Sequence, residues 1–299
     1  MGIMIHSSIL GKIGDTPLIE ASGLVENRIK LYLKAEWYNP SGSIKDRTAS
    51  YIINGAMDRG ELATGGKVVE ASSGNLGISL GMIGAVHGLC VTVVMPEGMS
   101  TARSSLMRRY GIDILLTPQG DGMAGAIAEA ERIAGEVGAF YPRQFENADG
   151  PRAHYETTAV EITNDLGGTP DAVIVGVGTG GTLMGIARRF AEVGVCEIIA
   201  VEPRESPVLS MGYRGRHGIE GIGAGFVPPL LDRGYIDRIM TVGYEEAMQA
   251  FDTLPQRTGI CCGISSAAAI AAAIKLSHEE KYRALRIVAI LPDGVDRYI

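Results

Sequence analysis

Short apolar runs alternate with amphipathic or alanine-rich segments along most of the chain, and this alternation predicts strands and helices in turn. In the first half, the pattern predicts strands at 29–35, 68–71, 91–95 and 113–117, and helices from near 45 and at 76–86, 101–110 and 122–136. In the second half, it predicts strands at 172–175, 197–201, 239–242 and 286–291, and helices at 158–166, 182–191, 244–254 and 265–275. Strands that alternate with helices indicate mostly parallel sheets flanked by helices, so the predicted fold class is α/β.

The second series of elements begins after the turn-forming residues at 149–151, which we take as a domain boundary. The 299 residues are enough for two modest domains, each with its own core. Hydrophobic residues make up 46% and charged residues 20%, as in ordered globular proteins. The net charge of −7 argues against nucleic acid as a partner.

The chain has no apolar run long enough to span a bilayer and no visible secretory signal, so we expect a cytoplasmic protein without membrane attachment. No pair among the five histidines has metal-ligand spacing, and we expect no metal site. The cysteines also lack zinc-like spacing and have apolar neighbours, which favours buried thiols in a reducing compartment; they are Cys90, Cys196, Cys261 and Cys262.

Lys45 is the first candidate for chemistry. It follows a predicted strand and the turn 39–43, and Ser43 can cap a helix that starts there. The positive end of the helix dipole repels a cation, which would lower the pKa of Lys45 and favour a nucleophilic amine suited to a Schiff base. A lone lysine is more often a solvated surface residue, so its role depends on the other motifs.

A glycine-rich turn at 176–182, Gly-Val-Gly-Thr-Gly-Gly-Thr, lies between a buried strand and a helix. Backbone N–H groups in such a turn and the helix dipole bind anions, and a phosphate is the natural occupant. The turn lacks the Walker pattern but does contain GxGxxG, so a nucleotide site and an empty tight turn both stay open at this point.

Three further turns carry candidate binding residues. The segment 72–77, Ser-Ser-Gly-Asn-Leu-Gly, also precedes a helix and fits either a carboxylate site or simple capping by Ser73 or Asn75. The glycine turn 221–226 follows a basic group (Arg214, Arg216 and His217), which is either a solvated patch or an anion clamp. The segment 263–266 opens an alanine-rich helix and by itself indicates a capped core helix.

The stretch 34–47 resembles the pyridoxal-phosphate (PLP) lysine signature of the cysteine synthase and cystathionine β-synthase family. The likeness is closest to O-acetylserine sulfhydrylase-like proteins and extends from 13–18 to 292–294. It implies PLP as cofactor and the tryptophan synthase β-like architecture (PLP fold type II), with two α/β domains and the cofactor in the cleft between them. The smaller domain would be 40–148, and the larger, phosphate-binding domain would be 1–39 with 149–299. A homodimer is also implied.

The resemblance assigns roles to individual residues. Lys45 would be the catalytic residue and hold PLP. The other cofactor-binding residues would be Asn75, Gly178, Thr179, Gly180, Gly181, Thr182, Gly223 and Ser265, with Ser265 facing the pyridine nitrogen. A serine there would not keep that nitrogen protonated, which favours β-elimination over transamination. The substrate carboxylate would be bound by Ser72, Ser73, Asn75, Leu76 and Gln144.

Two departures from the family pattern affect the substrate. Leu76 replaces the usual threonine, which keeps the backbone N–H but removes a hydroxyl, and 147–151 lacks the usual asparagine-proline repeat. The implied reaction is β-replacement on O-acetyl- or O-phospho-L-serine through an aminoacrylate, with sulfide giving L-cysteine. The alternatives are a glutamate acceptor in 2,3-diaminopropionate synthesis, cystathionine formation, and, in a different class, a non-catalytic nucleotide-binding protein.

Overall fold

The computed structural model describes residues 5–72, 74–98 and 101–298. The described strands are β1 (Leu18–Glu20), β2 (Lys30–Ala35), β3 (Lys67–Ala71), β4 (Cys90–Pro96), β5 (Asp113–Thr117), β6 (Ala172–Gly176), β7 (Glu197–Pro203), β8 (Arg238–Val242) and β9 (Arg286–Leu291). The described α-helices are α1 (Lys45–Asp58), α2 (Asn75–His87), α3 (Thr101–Arg109), α4 (Gly122–Val137), α5 (Asp149–Ala153), α6 (Ala159–Leu166), α7 (Gly181–Val193), α8 (Val208–Met211), α9 (Tyr244–Thr258) and α10 (Ile264–Ser277).

The chain forms two compact units. The first contains the described residues up to Ile13 together with Asn39–Asp149, and the second contains Gly14–Tyr38 together with the chain from Gly150 onward. The division differs from the expected domains at the N-terminus, which the sequence assigned entirely to the larger domain. The difference arises because Leu10 and Ile13 pack against the apolar core of the first unit.

The first unit is built on a three-stranded parallel sheet in the order β3-β4-β5. One face carries an apolar cluster to which α1 contributes Ile53 and α2 contributes Leu76 and Ile78, and the other face is covered by the small residues of α4. The segment after α4 runs beside the free edge of β3, where Val69 N–H donates to Phe140 O at 3.0 Å. These contacts fix the end of β3, from which the chain leads into α2.

The second unit is built on a six-stranded sheet in the order β1-β2-β9-β6-β7-β8. Only β1 is antiparallel to its neighbour among the described strands, and the other pairs are parallel. The alanine-rich α10 is buried over most of its length in the main apolar cluster. Small side chains allow a helix to lie close to a sheet, which explains why this helix is alanine-rich rather than amphipathic.

The structure confirms the predicted α/β class, and most predicted elements differ from the observed ones by one to three residues at their ends. Three features were missed. The strand β1 has only three residues, α8 has four, and the predicted helix 158–166 is preceded by α5 and by a π-helical turn at His154–Thr158.

The expectation of buried thiols is wrong for two cysteines. Cys262 is buried, Cys196 is half-buried, and Cys90 and Cys261 are exposed. Cys90 begins β4 outside the core, and the strand-like alternation at 261–262 turns the two neighbouring side chains in opposite directions. No described helix is long and apolar enough to cross a membrane.

Candidate functional site

Lys45 is the first residue of α1 and is half-buried. Its N–H donates to Ser43 Oγ at 3.3 Å, while the residue directly before the helix is Ile44 and not the predicted Ser43. The preceding turn is closed by the buried Asp46, whose Oδ2 accepts from Ser41 N–H at 2.7 Å and whose Oδ1 accepts from Ser41 Oγ. Ser41 Oγ also lies 3.3 Å from Ser79 Oγ on α2. The turn before Lys45 is therefore held both internally and against α2.

The buried Ser72 organises the loop after β3. The buried Ser72 accepts from Gly77 N–H at 3.2 Å and from Gly74 N–H at 3.4 Å through its Oγ. Its own N–H donates to Val94 O at 3.0 Å, which ties the loop to β4. Ser72 thus aligns the start of α2, where Asn75 is the first residue. Ser73 lies outside the described residues.

Gln144 lies beside the same loop. Its side chain is buried, and Nε2 donates to Ala71 O, the last carbonyl of β3, at 3.1 Å. The structure therefore brings Ser72 and Gln144 together at the carboxyl end of β3, where ligands of α/β sheets commonly bind. Leu76 is different, because its side chain is buried in the apolar cluster of the first unit and only its backbone is available to a ligand.

In the second unit, the glycine turn follows β6 and leads directly into α7. Gly180 precedes the helix with φ of 84°, a value that favours glycine, and has no side chain with which to cap the helix. Thr179 and Thr182 are half-buried on either side of the buried Gly180 and Gly181. The N-terminus of this 13-residue helix and two hydroxyl groups thus lie in one short turn.

The turn at 221–225 packs against this glycine turn. A Cβ atom at Gly178 would lie 2.5 Å from Gly221 O, so only glycine fits this approach. Gly223 N–H donates to Val177 O at 2.9 Å. A Cβ atom at Gly221 would in turn lie 3.4 Å from Oγ of the buried Ser265, in the first turn of α10. The structure therefore brings three separately predicted segments together in the second unit.

The basic group before the second turn does not act as one cluster. His217 Nε2 lies 2.9 Å from Gly223 O, so this imidazole contacts the glycine turn itself. Arg214 and Arg216 are exposed. A Cβ atom at Gly223, which has φ of 68°, would also lie 2.8 Å from His217 Nε2. His217 therefore supports the turn that the sequence assigned to the cofactor.

His154 is a site residue that the sequence patterns missed. It is fully buried in the π-helical turn before α6, with Nδ1 2.9 Å from Thr158 Oγ1 and Nε2 3.2 Å from Thr182 Oγ1. The imidazole therefore orients the Thr182 hydroxyl in the glycine turn. π-helical turns are frequent at functional sites, but their sequence pattern cannot be told from that of an ordinary helix. His154 lies before the predicted helix 158–166, in the polar segment His-Tyr-Glu-Thr-Thr, so no periodicity singled it out.

These residues fit the phosphate of pyridoxal phosphate. A helix N-terminus has N–H groups without intrahelical partners and a favourable dipole, and the threonine hydroxyls add donors. The close approach of Gly178 to Gly221 leaves no room for side chains beside that turn. In the first unit, Lys45 at the start of α1 carries an amine of the kind that forms a Schiff base. Among the described residues, no group of three or more His, Cys, Asp or Glu side chains could hold a metal ion.

Comparison with known proteins agrees with this arrangement. The model of a family described as pyridoxal-phosphate dependent enzymes matches residues 9–293. A cysteine synthase from Staphylococcus aureus is 41% identical over 290 residues, which cover 96% of this chain and 93% of that protein.

Two solved structures are also similar over almost the whole chain. The crystal structure of a cysteine synthase from Entamoeba histolytica has a TM-score of 0.95 and 38% identity, and the match covers 99% of this chain and 89% of that one. The crystal structure of an O-ureido-L-serine synthase has a TM-score of 0.95 and 35% identity, covering 99% and 94% of the two chains.

Proposed function

Because the chain belongs to the family of pyridoxal-phosphate dependent enzymes, we propose that it catalyses β-replacement on an activated L-serine, with sulfide as acceptor and L-cysteine as product. The main support for this proposal is the close packing of Gly178 against Gly221 and of Gly221 against Ser265. This packing places a glycine turn suited to a phosphate near a serine hydroxyl. The substrate is O-acetyl-L-serine or O-phospho-L-serine. The Cβ–O bond breaks with release of acetate or phosphate, and a Cβ–S bond forms.

Each cofactor-binding group has its own task. The hydroxyls of Thr179 and Thr182 and the first N–H groups of α7 bind the phosphate, and Lys45 supplies the amine for covalent attachment. When bound, pyridoxal phosphate supplies an electron sink for the Cα–H bond of the amino acid. Ser265 offers a hydroxyl rather than a carboxylate to the ring nitrogen, which favours loss of a β-substituent.

The remaining residues bind substrate and move a proton. Ser72 and Gln144, together with Asn75 and the Leu76 N–H, bind the substrate α-carboxylate at the end of β3. Lys45 Nζ would take the Cα proton as general base.

The experiment is a product assay on purified holoenzyme. O-acetyl-L-serine and O-phospho-L-serine are each incubated with sulfide, glutamate or homocysteine, and products are identified by mass spectrometry. Sulfide is expected to give L-cysteine, and Lys45→Ala is expected to abolish turnover. A product with glutamate or homocysteine but not with sulfide would replace cysteine synthesis by one of the two other acceptors.

A second set of measurements addresses the non-catalytic alternative and the assembly. Thermal-shift titration should give stabilisation by pyridoxal phosphate and none by nucleotides; the opposite result would favour a nucleotide-binding protein. We also propose a cytoplasmic homodimer, as implied by the family resemblance. Light scattering after size-exclusion chromatography should then give twice the 31.6 kDa mass of one chain.

A further inference from the structure

Glu70 is a buried carboxyl for which the proposed reaction has no direct use. It lies in β3, two residues before Ser72, and its side chain is 1% exposed. Its Oε1 accepts from Ala71 N–H at 2.9 Å, whereas Oε2 is buried with no hydrogen-bond partner among the described residues. No described lysine, arginine or histidine forms an ion pair with it. An ionised carboxylate in this position would be costly, so the neutral acid is favoured.

The surroundings explain why an acid lies there. The segment after α4 pairs with the edge of β3 through Phe140, whose N–H donates to Lys67 O at 2.9 Å and whose carbonyl accepts from Val69 N–H at 3.0 Å. Alternation along the strand directs Ala71 N–H to the same edge, where the segment has already turned away. Glu70 Oε1 takes the place of the missing carbonyl.

The segment after α4 leaves the edge of β3 through a sharp turn. Arg143 has φ of 52°, in the left-handed region that non-glycine residues rarely adopt. Arg143 O accepts from Glu146 N–H at 2.8 Å and from Asn147 N–H at 2.9 Å. The backbone N–H groups of Arg143 and Gln144 face the Glu70 carboxyl. The same turn places Gln144 Nε2 where it donates to Ala71 O. Glu70 therefore contacts the backbone of the turn that positions the Gln144 side chain.

We infer that Glu70, in its protonated form, is a positioning residue for the site that binds the substrate α-carboxylate, and that its ionisation weakens substrate binding. The inference rests on the proposed function, which assigns Ser72 and Gln144 to that carboxylate. Two effects act together. A buried negative charge close to the site disfavours a second carboxylate, and the ionised group attracts the Arg143 and Gln144 N–H groups more strongly, which shifts the turn that carries Gln144.

Ionisation falls within an accessible pH range. Burial raises the pKa of Glu70 to about 8, although the N–H groups of Ala71, Gln144 and Arg143 oppose the rise. Tyr141 is the titratable side chain that interacts with it, and Arg143 carries the charged side chain of the same turn. Burial and Glu70 itself raise the pKa of Tyr141, so this phenol stays neutral. The half-exposed Arg143 is paired with Glu131 of α4 at 2.8 Å, and the β4 partner of Glu70 is the apolar Val93.

The test compares wild-type holoenzyme with Glu70→Gln, which keeps the shape and hydrogen bonding of the acid but cannot ionise. L-alanine, which has no leaving group, is titrated from about pH 6 to about pH 9.5 while the cofactor absorption is followed. The amines of L-alanine and Lys45 are present with both proteins, so their effects cancel in the ratio of the wild-type to the Glu70→Gln dissociation constant. The pH dependence of this ratio therefore reports the ionisation of Glu70. Glu131→Gln is the matched control, because it removes an exposed acid from the outer side of the same turn.

At about pH 6, the wild-type and Glu70→Gln dissociation constants for L-alanine are expected to agree. If ligand binding raises the Glu70 pKa by about one unit, the wild-type dissociation constant should be about tenfold higher than that of Glu70→Gln above about pH 9. The KM for O-acetyl-L-serine should follow the same ratio while kcat does not. Glu131→Gln should give no such trend.

A ratio that stays flat across this pH range would overturn the inference, even if Glu70→Gln lowers the melting temperature, since a purely structural role moves only stability. Failure of the proposed function gives a different result. In that case Gln144→Ala and Ser72→Ala would leave L-alanine binding unchanged. If these two variants weaken binding while the ratio is flat, the carboxylate site stands and only the role of Glu70 is refuted.

Discussion

Replacing Gly178 by alanine tests the contact on which the proposed cofactor site depends. The added Cβ atom would lie 2.5 Å from Gly221 O, and ordinary contacts begin at 3.4 Å. The two turns would therefore have to separate by about 0.9 Å. Both partners are backbone, so no side chain can rotate away, and the hydrogen bond from Gly223 N–H to Val177 O at 2.9 Å would be stretched as well.

The size of the effect follows from the cost of overpacking, which is about 1–3 kcal/mol. Without cofactor, the turns can relax apart. Binding would require them to close again, so the strain falls mainly on the bound state. The dissociation constant for pyridoxal phosphate should then rise about 5- to 150-fold. Gly135→Ala is the control, because Gly135 lies inside α4 with nothing within 4 Å of an added Cβ. It should leave cofactor affinity unchanged and stabilise the helix by up to about 1 kcal/mol.

The assay is an equilibrium titration of apoprotein with pyridoxal phosphate, followed by visible absorption and by melting temperature. Gly178→Ala should show weaker binding and a smaller stabilisation by cofactor than either wild type or Gly135→Ala. If Gly178→Ala bound the cofactor as tightly as wild type, the turns at 178 and 221 would not need their close approach, and the proposed phosphate site would be refuted.

Three further predictions concern buried polar groups. Lys34 is fully buried, donates to Thr16 O at 2.6 Å and pairs with Glu161 at 2.9 Å, so Lys34→Met should lower the free energy of unfolding by about 3–5 kcal/mol in urea denaturation. Because the pKa of Glu70 is raised to about 8, the folded state binds more protons than the unfolded state between about pH 4.5 and pH 8. As the pH rises through that window, the free energy of unfolding of wild type should fall relative to that of Glu70→Gln by up to about 1.4 kcal/mol per pH unit. An equal pH dependence of the two unfolding free energies would contradict this prediction. His154→Phe should weaken pyridoxal phosphate binding by about fivefold, since it removes one hydrogen bond to Thr182, and a double-mutant cycle with Thr182→Val should be non-additive.

Local patterns predicted most of the fold because each element is amphipathic or apolar over a length that suits its type. The strand β5 was predicted at its observed bounds, and α4 within one residue. Elements that depend on distant partners were missed. The short strand β1 exists because it pairs with β2, and the π-helical turn at His154–Thr158 has no sequence pattern that distinguishes it from an α-helix.

The candidate site shows the same division. The turn before Lys45 and the glycine turn before α7 are local motifs, so a few neighbouring residues predicted them. The contacts that orient these motifs join residues far apart in sequence. His154 and Thr182 are 28 positions apart, and Gln144 and Ala71 are 73 apart. Neither contact has a local signal.

The sequence by itself determined the α/β class, a helix start near Lys45 and the existence of the glycine turn, because each follows from the periodicity and conformational preferences of adjacent residues. Only the tertiary structure decided that Gly178 needs Gly221 beside it, that Leu76 turns its side chain into the core, and that Glu70 is buried beneath the turn carrying Gln144. The physical reason is that burial and close packing are properties of segments brought together by folding, and a pattern along one segment does not contain its neighbour.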